Sequence, residues 1–275
     1  MPPLRLTAPL AGVVVTLAAA LAAAPAFARV ETVSRGPLTA SFSYDRTGEG
    51  QYENLRLSIL RNGTQVYDAP VSTSDCQEPY CAPGGFGDRR SVAIGRLDGD
   101  RTRDVVVDLF TGGAHCCTVS QLVLQRAGGW VTDEHNWGDP GYRLGDPNHD
   151  GRREFVTADD RFAYAFTAYA FSGLPVRILS YRHGRFRDVT DRYRHRVRVD
   201  ARRWWRSYHR APADEYPQGV LAAWAADQYR LSRRHEALRY VRRQARHGKL
   251  RAAMGKSRAA RWPDRLDRRL RRWGY

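Results

Sequence analysis

The chain has 275 residues, with 45 Lys+Arg against 29 Asp+Glu and a formal charge of +16. Past an apolar N-terminal stretch no segment is apolar enough to span a bilayer, which excludes a polytopic helical membrane protein. The length suffices for one large domain or two small ones.

The charge is unevenly placed. Residues 191–275 hold 25 Lys+Arg and 8 Asp+Glu, a net of +17, whereas residues 1–190 hold 20 and 21, a net of −1. A compositional preference for arginine accounts for the scarcity of lysine but not for the concentration at one end. A basic end fits anionic partners, namely lipid headgroups, acidic cell-wall polymers or nucleic acid.

In chain order, the first element is an export signal. Arg5 supplies a positive n-region, LAGVVVTLAAALAAA (residues 10–24) an apolar core, and Ala26-Phe27-Ala28 a cleavage site before Arg29. The apolar run is shorter than the ~20 residues of a bilayer span. Residues 1–28 are therefore expected to be a signal peptide, and the mature protein to be secreted, periplasmic or in the cell envelope. That setting makes nucleic acid the least favoured anionic partner. It also makes Cys76, Cys81, Cys116 and Cys117 disulfide candidates.

Residues 29–195 read as a β-rich domain. PLTASFSYD (37–45) alternates, and LRLSILRNGTQVYDAPV (55–71) places two alternating runs around Asn62-Gly63, a hairpin signal. DVVVDLF (104–110), VSQLVLQ (119–125), REFVTAD (153–159) and PVRILSY (175–181) continue the series. FAYAFTAYAF (162–171) alternates like a strand, yet its alanines also allow a helix. Two stretches, about 92–135 and 142–190, share the order acidic loop, strand, loop, strand. Asp100 maps to Asp150, and Trp130 maps to Phe186.

Residues 196–275 read as a basic α-helical region. Asp200 is placed to cap a helix over 201–209, Pro217 to sit in the first turn of the next, and Gly248 to end a third. Trp262, Leu266, Leu270 and Trp273 form one apolar stripe among arginines. Such helices pack on one another or on the β part, or lie on an anionic surface.

GDPNHDGRREF (145–155) carries the most specific chemistry. Calcium takes six to eight oxygens, and oxygens at alternate positions of a tight loop converge on one ion. Asp146, Asn148 and Asp150 supply three, Gly151 allows the turn, the Arg152 carbonyl is a backbone ligand, and Glu154 closes the shell. The twelfth position is Thr157, so this is not an EF-hand loop. The competing reading is a polar Asx turn that needs no ion.

The spacing D-x-N-x-D-G-x-x-E before a strand resembles the calcium loops of FG-GAP/VCBS repeats, found in the β-propeller of integrin α chains. Asp98, Asp100 and Asp104 match the third, fifth and ninth positions of the same pattern, and TGGA (111–114) is similar to the family's small-residue turn. The resemblance implies a calcium-supported β fold displaying binding loops. Arg96 stands where the first ligand belongs and Arg101 where the glycine belongs. The first loop is therefore expected to be degenerate, with Arg96 paired to Asp98 or Asp104 in place of an ion. Two or three copies cannot close a propeller, so the expected fold is mainly β, a propeller-blade-like meander, incomplete propeller or curved sheet, followed by an α-helical C-terminal region.

In TGGAHCCT (111–118), His115, Cys116 and Cys117 can bind a metal or perform thiol chemistry, or the four cysteines form two disulfides. Adjacent trans Cα atoms lie about 3.8 Å apart, below the usual span of a disulfide. Crossed pairing, Cys76 and Cys81 each to one of Cys116 and Cys117, is therefore expected. No G-x-S-x-G, H-E-x-x-H or phosphate-binding glycine loop is present. The Asp159-Asp160 pair and the scattered His149 and His183 carry no catalytic pattern. The expected function is that of a secreted, non-enzymatic calcium-binding β-repeat protein, with a protein or glycan ligand, in a binding or structural role at the cell envelope. An anionic polymer or lipid surface is the expected partner of residues 191–275. The rival is an exported metal-binding or thiol-redox protein using His115, Cys116 and Cys117.

Overall fold

A computed structural model describes residues 27–84, 90–113, 116–210, 212 and 216–275. The expected signal segment lies outside the described residues as far as residue 26. β1 (Phe27–Arg35) begins just ahead of the expected cleavage point. With β2 (Leu38–Gly48), β3 (Gln51–Arg61) and β4 (Thr64–Pro70) it forms an antiparallel meander. Asn62 and Gly63, at φ 50° and 83°, turn β3 into β4 with Arg61 paired to Thr64. A two-residue hairpin asks for that left-handed backbone.

A second sheet holds β5 (Ala82–Pro83), β6 (Val92–Gly95), β7 (Asp104–Phe110), β8 (Thr118–Arg126) and β9 (Gly129–Gly138), with β5 and β6 both paired to β7. The third is a meander of β10 (Tyr142–Gly145), β11 (Glu154–Ala158), β12 (Val176–Arg182) and β13 (Arg185–Asp188). The three sheets stack, and the second is in the middle. One face of it sends Val105, Val107, Val119 and Val123 against Phe42, Leu57 and Ile59 of the first sheet. The other sends Val106, Leu122 and Leu124 against Phe155, Leu179 and Tyr181 of the third. Burial of both faces explains why β7 and β8 read as near-continuous apolar runs. Every residue of β8 from Thr118 to Leu124 is buried. The stack is mainly β, built of blade-like meanders, and does not close into a barrel.

FAYAFTAYAF forms neither a strand nor an α-helix. It lies in the connection from β11 to β12 as two 3₁₀ turns, Asp160–Phe162 and Tyr169–Phe171. Asp159 caps the first through the Arg161 N–H at 3.2 Å. Phe162 then leaves the sheet and packs on Trp273 with ring centroids 5.0 Å apart. Tertiary burial overrides the local alternation there.

The helices are α1 (Arg194–Arg210), α2 (Gln218–Arg230), α3 (Arg234–His247), α4 (Lys249–Met254) and α5 (Lys256–Arg272). They share one core with the β11–β12 connection. Trp262, Leu266 and Leu270 of α5 are buried in it, so the apolar stripe is covered by the protein itself. Gly219 is required where α2 crosses the connection, since a Cβ there would strike the Phe171 carbonyl. The Tyr275 hydroxyl donates to Asp159 at 2.8 Å, and Arg230 pairs with Asp188 at 2.9 Å, tying the helices to the third sheet.

Asp200 does not cap a helix. α1 starts six residues earlier, and the Asp200 carboxylate accepts the Val176 N–H at 2.7 Å and the Trp204 indole N–H at 2.9 Å. It is thus bound to a strand rather than to a helix start. Asp227, fully buried beside it, has neither oxygen paired to a donor. Burial first, and the Asp200 carboxylate second, push Asp227 well above the usual carboxylate range. A proton held on Asp227 resolves the conflict. Its folded pKa exceeds the unfolded value of about 3.9, so the pair contributes its stability below that pH and loses it as pH climbs toward the folded value. Asp227→Asn should therefore gain in melting temperature relative to wild type as pH rises from about 4. Melting curves of both proteins across pH check this, and parallel pH profiles would contradict it.

Candidate functional site

The two acidic loops occupy equivalent places, β6 to β7 and β10 to β11, and differ in how their charge is met. In the first, Arg126 at the end of β8 forms an ion pair with Asp98. Asp98 and Asp100 also accept loop amides, from Asp100 at 3.1 Å and Thr102 at 2.6 Å. Asp104 is fully buried and accepts the Leu97 N–H at 2.9 Å and the Gln125 N–H at 3.1 Å. Burial still pushes its pKa up to about 6. A guanidinium thus balances this loop, but it is Arg126 and not the expected Arg96. Arg96 instead offers its carbonyl to the Arg153 N–H at 3.4 Å, linking the two loops. The positively charged group came from a neighbouring strand end because Asp98 lies beside β8, a tertiary contact that loop spacing does not encode.

Among the described residues the second loop has no such pair. Asp146 accepts the N–H groups of Asp150 at 3.0 Å and Gly151 at 2.9 Å. Asp150 accepts the Arg152 N–H at 2.9 Å and the Asn148 side-chain amide at 3.1 Å. The Arg152 amide bond is the main influence holding Asp150 below the usual carboxylate range. Gly151 sits at φ 82°, as the turn needs. Glu154, the first residue of β11, is 3% exposed and its Oε2 has no partner. Burial raises its pKa, the Tyr193 hydroxyl bonds to it and lowers it, and Asp150 and Asp146 raise it further. Arg182 corresponds to Arg126 in the repeat, yet it lies against Gly99 of the first loop rather than pairing with an acid of its own.

These residues fit calcium by chemistry. Each carboxylate oxygen has two lone pairs, so a bond to a loop amide leaves capacity for an ion. The amide bonds hold Asp146 and Asp150 in place, and Glu154 offers a buried oxygen without a donor. As the loop stands, no three His, Cys, Asp or Glu side chains converge closely enough to hold a metal among the described residues. Sequence reasoning missed Arg126 and Tyr193. The first was visible only as the partner of Arg182 in the repeat, and the second had no local signal.

The cysteines pair locally. Cys76 bonds to Cys81 with Cα atoms 5.2 Å apart, and the Cys116 and Cys117 side chains lie close together. This overturns the crossed pairing. The Thr73–Cys76 bridge folds the first loop so that Cys76 meets Cys81 within it. Cys76, Cys81 and Cys117 nevertheless share one buried cluster. Ala114 and His115 lie outside the described residues. Gly112 and Gly113, both with positive φ, start the turn, and Thr111 closes it on Cys117 through bonds of 3.1 and 2.8 Å.

Asp159 is structural, held by Arg161 and Tyr275. His149 and His183 take positive φ in turns. His135, half-buried between Trp137 and Phe186, has its pKa lowered to about 4, chiefly by desolvation.

No family model and no solved structure matches the chain. Over 199 residues it is 31% identical to a protein of Sinorhizobium fredii named only as uncharacterized, covering 70% of this chain and 30% of that protein. Over 162 residues it is 27% identical to a protein of Synechocystis named "Probable thylakoid lumen protein", covering 58% of this chain and 45% of that protein. The chain thus spans less than half the length of these curated relatives.

Removing Arg126 strands the Asp98 carboxylate, whose side chain is 4% exposed. Arg126→Gln should destabilise the fold by about 1–3 kcal/mol, less than a fully buried pair because the guanidinium is partly solvated. Urea unfolding measures it, and an unchanged midpoint would show that Asp98 needs no counter-charge.

Proposed function

We propose that the protein is an exported, non-enzymatic β-repeat protein that binds calcium at its second acidic loop and presents binding surfaces at the cell envelope, as a divergent relative of FG-GAP/VCBS proteins. The observation that carries this reading is the buried Glu154 oxygen, unpartnered beside Asp146 and Asp150 in a loop that no arginine among the described residues pairs with. Asp146, Asn148, Asp150 and Glu154 would hold the ion by side chains and Arg152 by its carbonyl. A bound calcium ion would supply charge neutralisation there, and these residues would hold it. The lumen in the cyanobacterial relative's name supports an exported compartment. No described helix is long and apolar enough to cross a membrane.

Thermal unfolding of the protein from Arg29 onward, in excess EDTA and in about 1 mM calcium, tests the loop. Sites of the extracellular type have Kd of about 0.1–1 mM, so one site adds about 0.4–1.4 kcal/mol, or roughly 1–6 °C at this size. Asp150→Ala and Glu154→Gln should each abolish the shift. No calcium response in wild type would make the loop a polar turn.

The rival reading, metal or thiol chemistry at His115, Cys116 and Cys117, keeps one supporting feature, the adjacent cysteines at the end of a glycine turn. A thiol titration of unreduced protein decides between them. No free thiol and no bound zinc or copper is the outcome expected, and reactive thiols together with stoichiometric metal would favour the rival.

A further inference from the structure

α1, α2 and α3 leave an open groove with an aromatic floor. The Trp205 ring centroid lies 5.1 Å from that of Trp224 and 4.8 Å from that of Tyr240. Trp205 and Tyr240 are only half-buried, so their rings keep accessible surface. Two adjoining hollows, of about 560 and 400 Å³, share Trp224, Gln228 and Glu236.

The rim is basic. Arg198, Arg202 and Arg233 border one hollow, and Arg239 and Arg243 the other. All five are exposed, and among the described residues none forms an ion pair. Their neighbours behave differently, with Arg203, Arg230, Arg234 and Arg242 each engaged by an aspartate. Guanidiniums without an ion pair, Arg243 among them over the Tyr240 ring at 5.1 Å, set around a cluster of tilted aromatic rings, fit an anionic ligand that itself has flat faces.

We propose that this groove binds an acidic polysaccharide, the C–H face of a sugar ring lying on Trp205 and Tyr240 and its carboxylates meeting the rim arginines. Aromatic side chains offer an apolar face with little conformational cost, and guanidinium forks match carboxylates. Gln228 and Glu236 can bond sugar hydroxyls. A membrane surface fits less well, because the groove is concave and the α5 stripe is buried, which leaves Val199 as the only exposed large hydrophobic on the helices among the described residues. Single-stranded nucleic acid shares the stacking and the charge. The exported setting argues against it, and to that extent the inference rests on the proposed function, though not on calcium.

Calorimetric titration of the full chain with oligogalacturonate, run in EDTA and again in calcium at near-physiological salt, tests the groove apart from the loop. Saturable binding in both buffers is expected. The Arg198→Gln/Arg202→Gln pair and the Arg239→Gln/Arg243→Gln pair should each weaken it by about tenfold or more. Trp205→Ala should do likewise with its circular dichroism unchanged, and Trp205→Tyr should restore binding should Trp205→Ala prove unfolded. Linear polyphosphate, an oligothymidylate and phosphatidylglycerol vesicles are the comparators. No oligogalacturonate binding, binding indifferent to the arginine variants, or equal or tighter binding of any comparator would overturn the proposal. Binding lost only in EDTA would also do so, by placing the sugar at the calcium loop.

Discussion

The middle sheet carries the rest of the molecule. A sheet buried on both faces can use only apolar or fully bonded side chains, and β7 and β8 meet that constraint almost without exception. Its one face closes the first core and its other face the second. Of the polar exceptions, Gln121 donates its amide to the Ser72 carbonyl at 3.0 Å, while its Oε1 has no partner among the described residues. Ser120 bonds to Asp108 at 2.5 Å and receives the Trp137 indole N–H at 2.8 Å, while Asp108 also takes the Tyr142 hydroxyl. These bonds join the second sheet to the strand that starts the third. A polar group with no partner at that depth would cost about 1–3 kcal/mol.

That stacking also sets the fate of the two acidic loops. Both enter a sheet from the same relative position, and both place a buried carboxylate on the first residue of the following strand. In the middle sheet that carboxylate, Asp104, receives two backbone N–H groups and its loop receives Arg126. In the outer sheet one oxygen of Glu154 has no donor among the described residues, and the Tyr193 hydroxyl, from the turn before α1, bonds to the carboxylate instead. The helices thus take the place that another meander would fill, and they reach the third sheet through Asp200, Arg230 and Tyr275.

The strands, the Asn62-Gly63 hairpin, the loop-strand repeat and the switch to basic helices were legible, because each rests on local periodicity or turn chemistry. The expectation of a mainly β, blade-like but unclosed fold followed by helices matches the structure. What was not legible depends on contacts between distant residues. FAYAFTAYAF gave up its alternation to bury Phe162 against Trp273. Asp200 looked like a cap but serves the Val176 amide. Arg126 displaced Arg96 as the partner of Asp98. The cysteine pairing was not legible because the Thr73–Cys76 bridge, a contact that spacing does not encode, brings Cys76 to Cys81. In the candidate loop the ligand-type residues were read from spacing, whereas the burial of Glu154 and its unpartnered oxygen required the fold.

The bond between Asp159 and Tyr275 spans 116 positions. Its length imposes an order of assembly. The three meanders consist of neighbouring strands and can form as the chain emerges, but the β11–β12 connection stays uncovered until α5 and Tyr275 arrive. Phe162 and Phe166 are exposed during that interval, and they are the surface on which a chaperone, or a second unfinished chain, would first take hold.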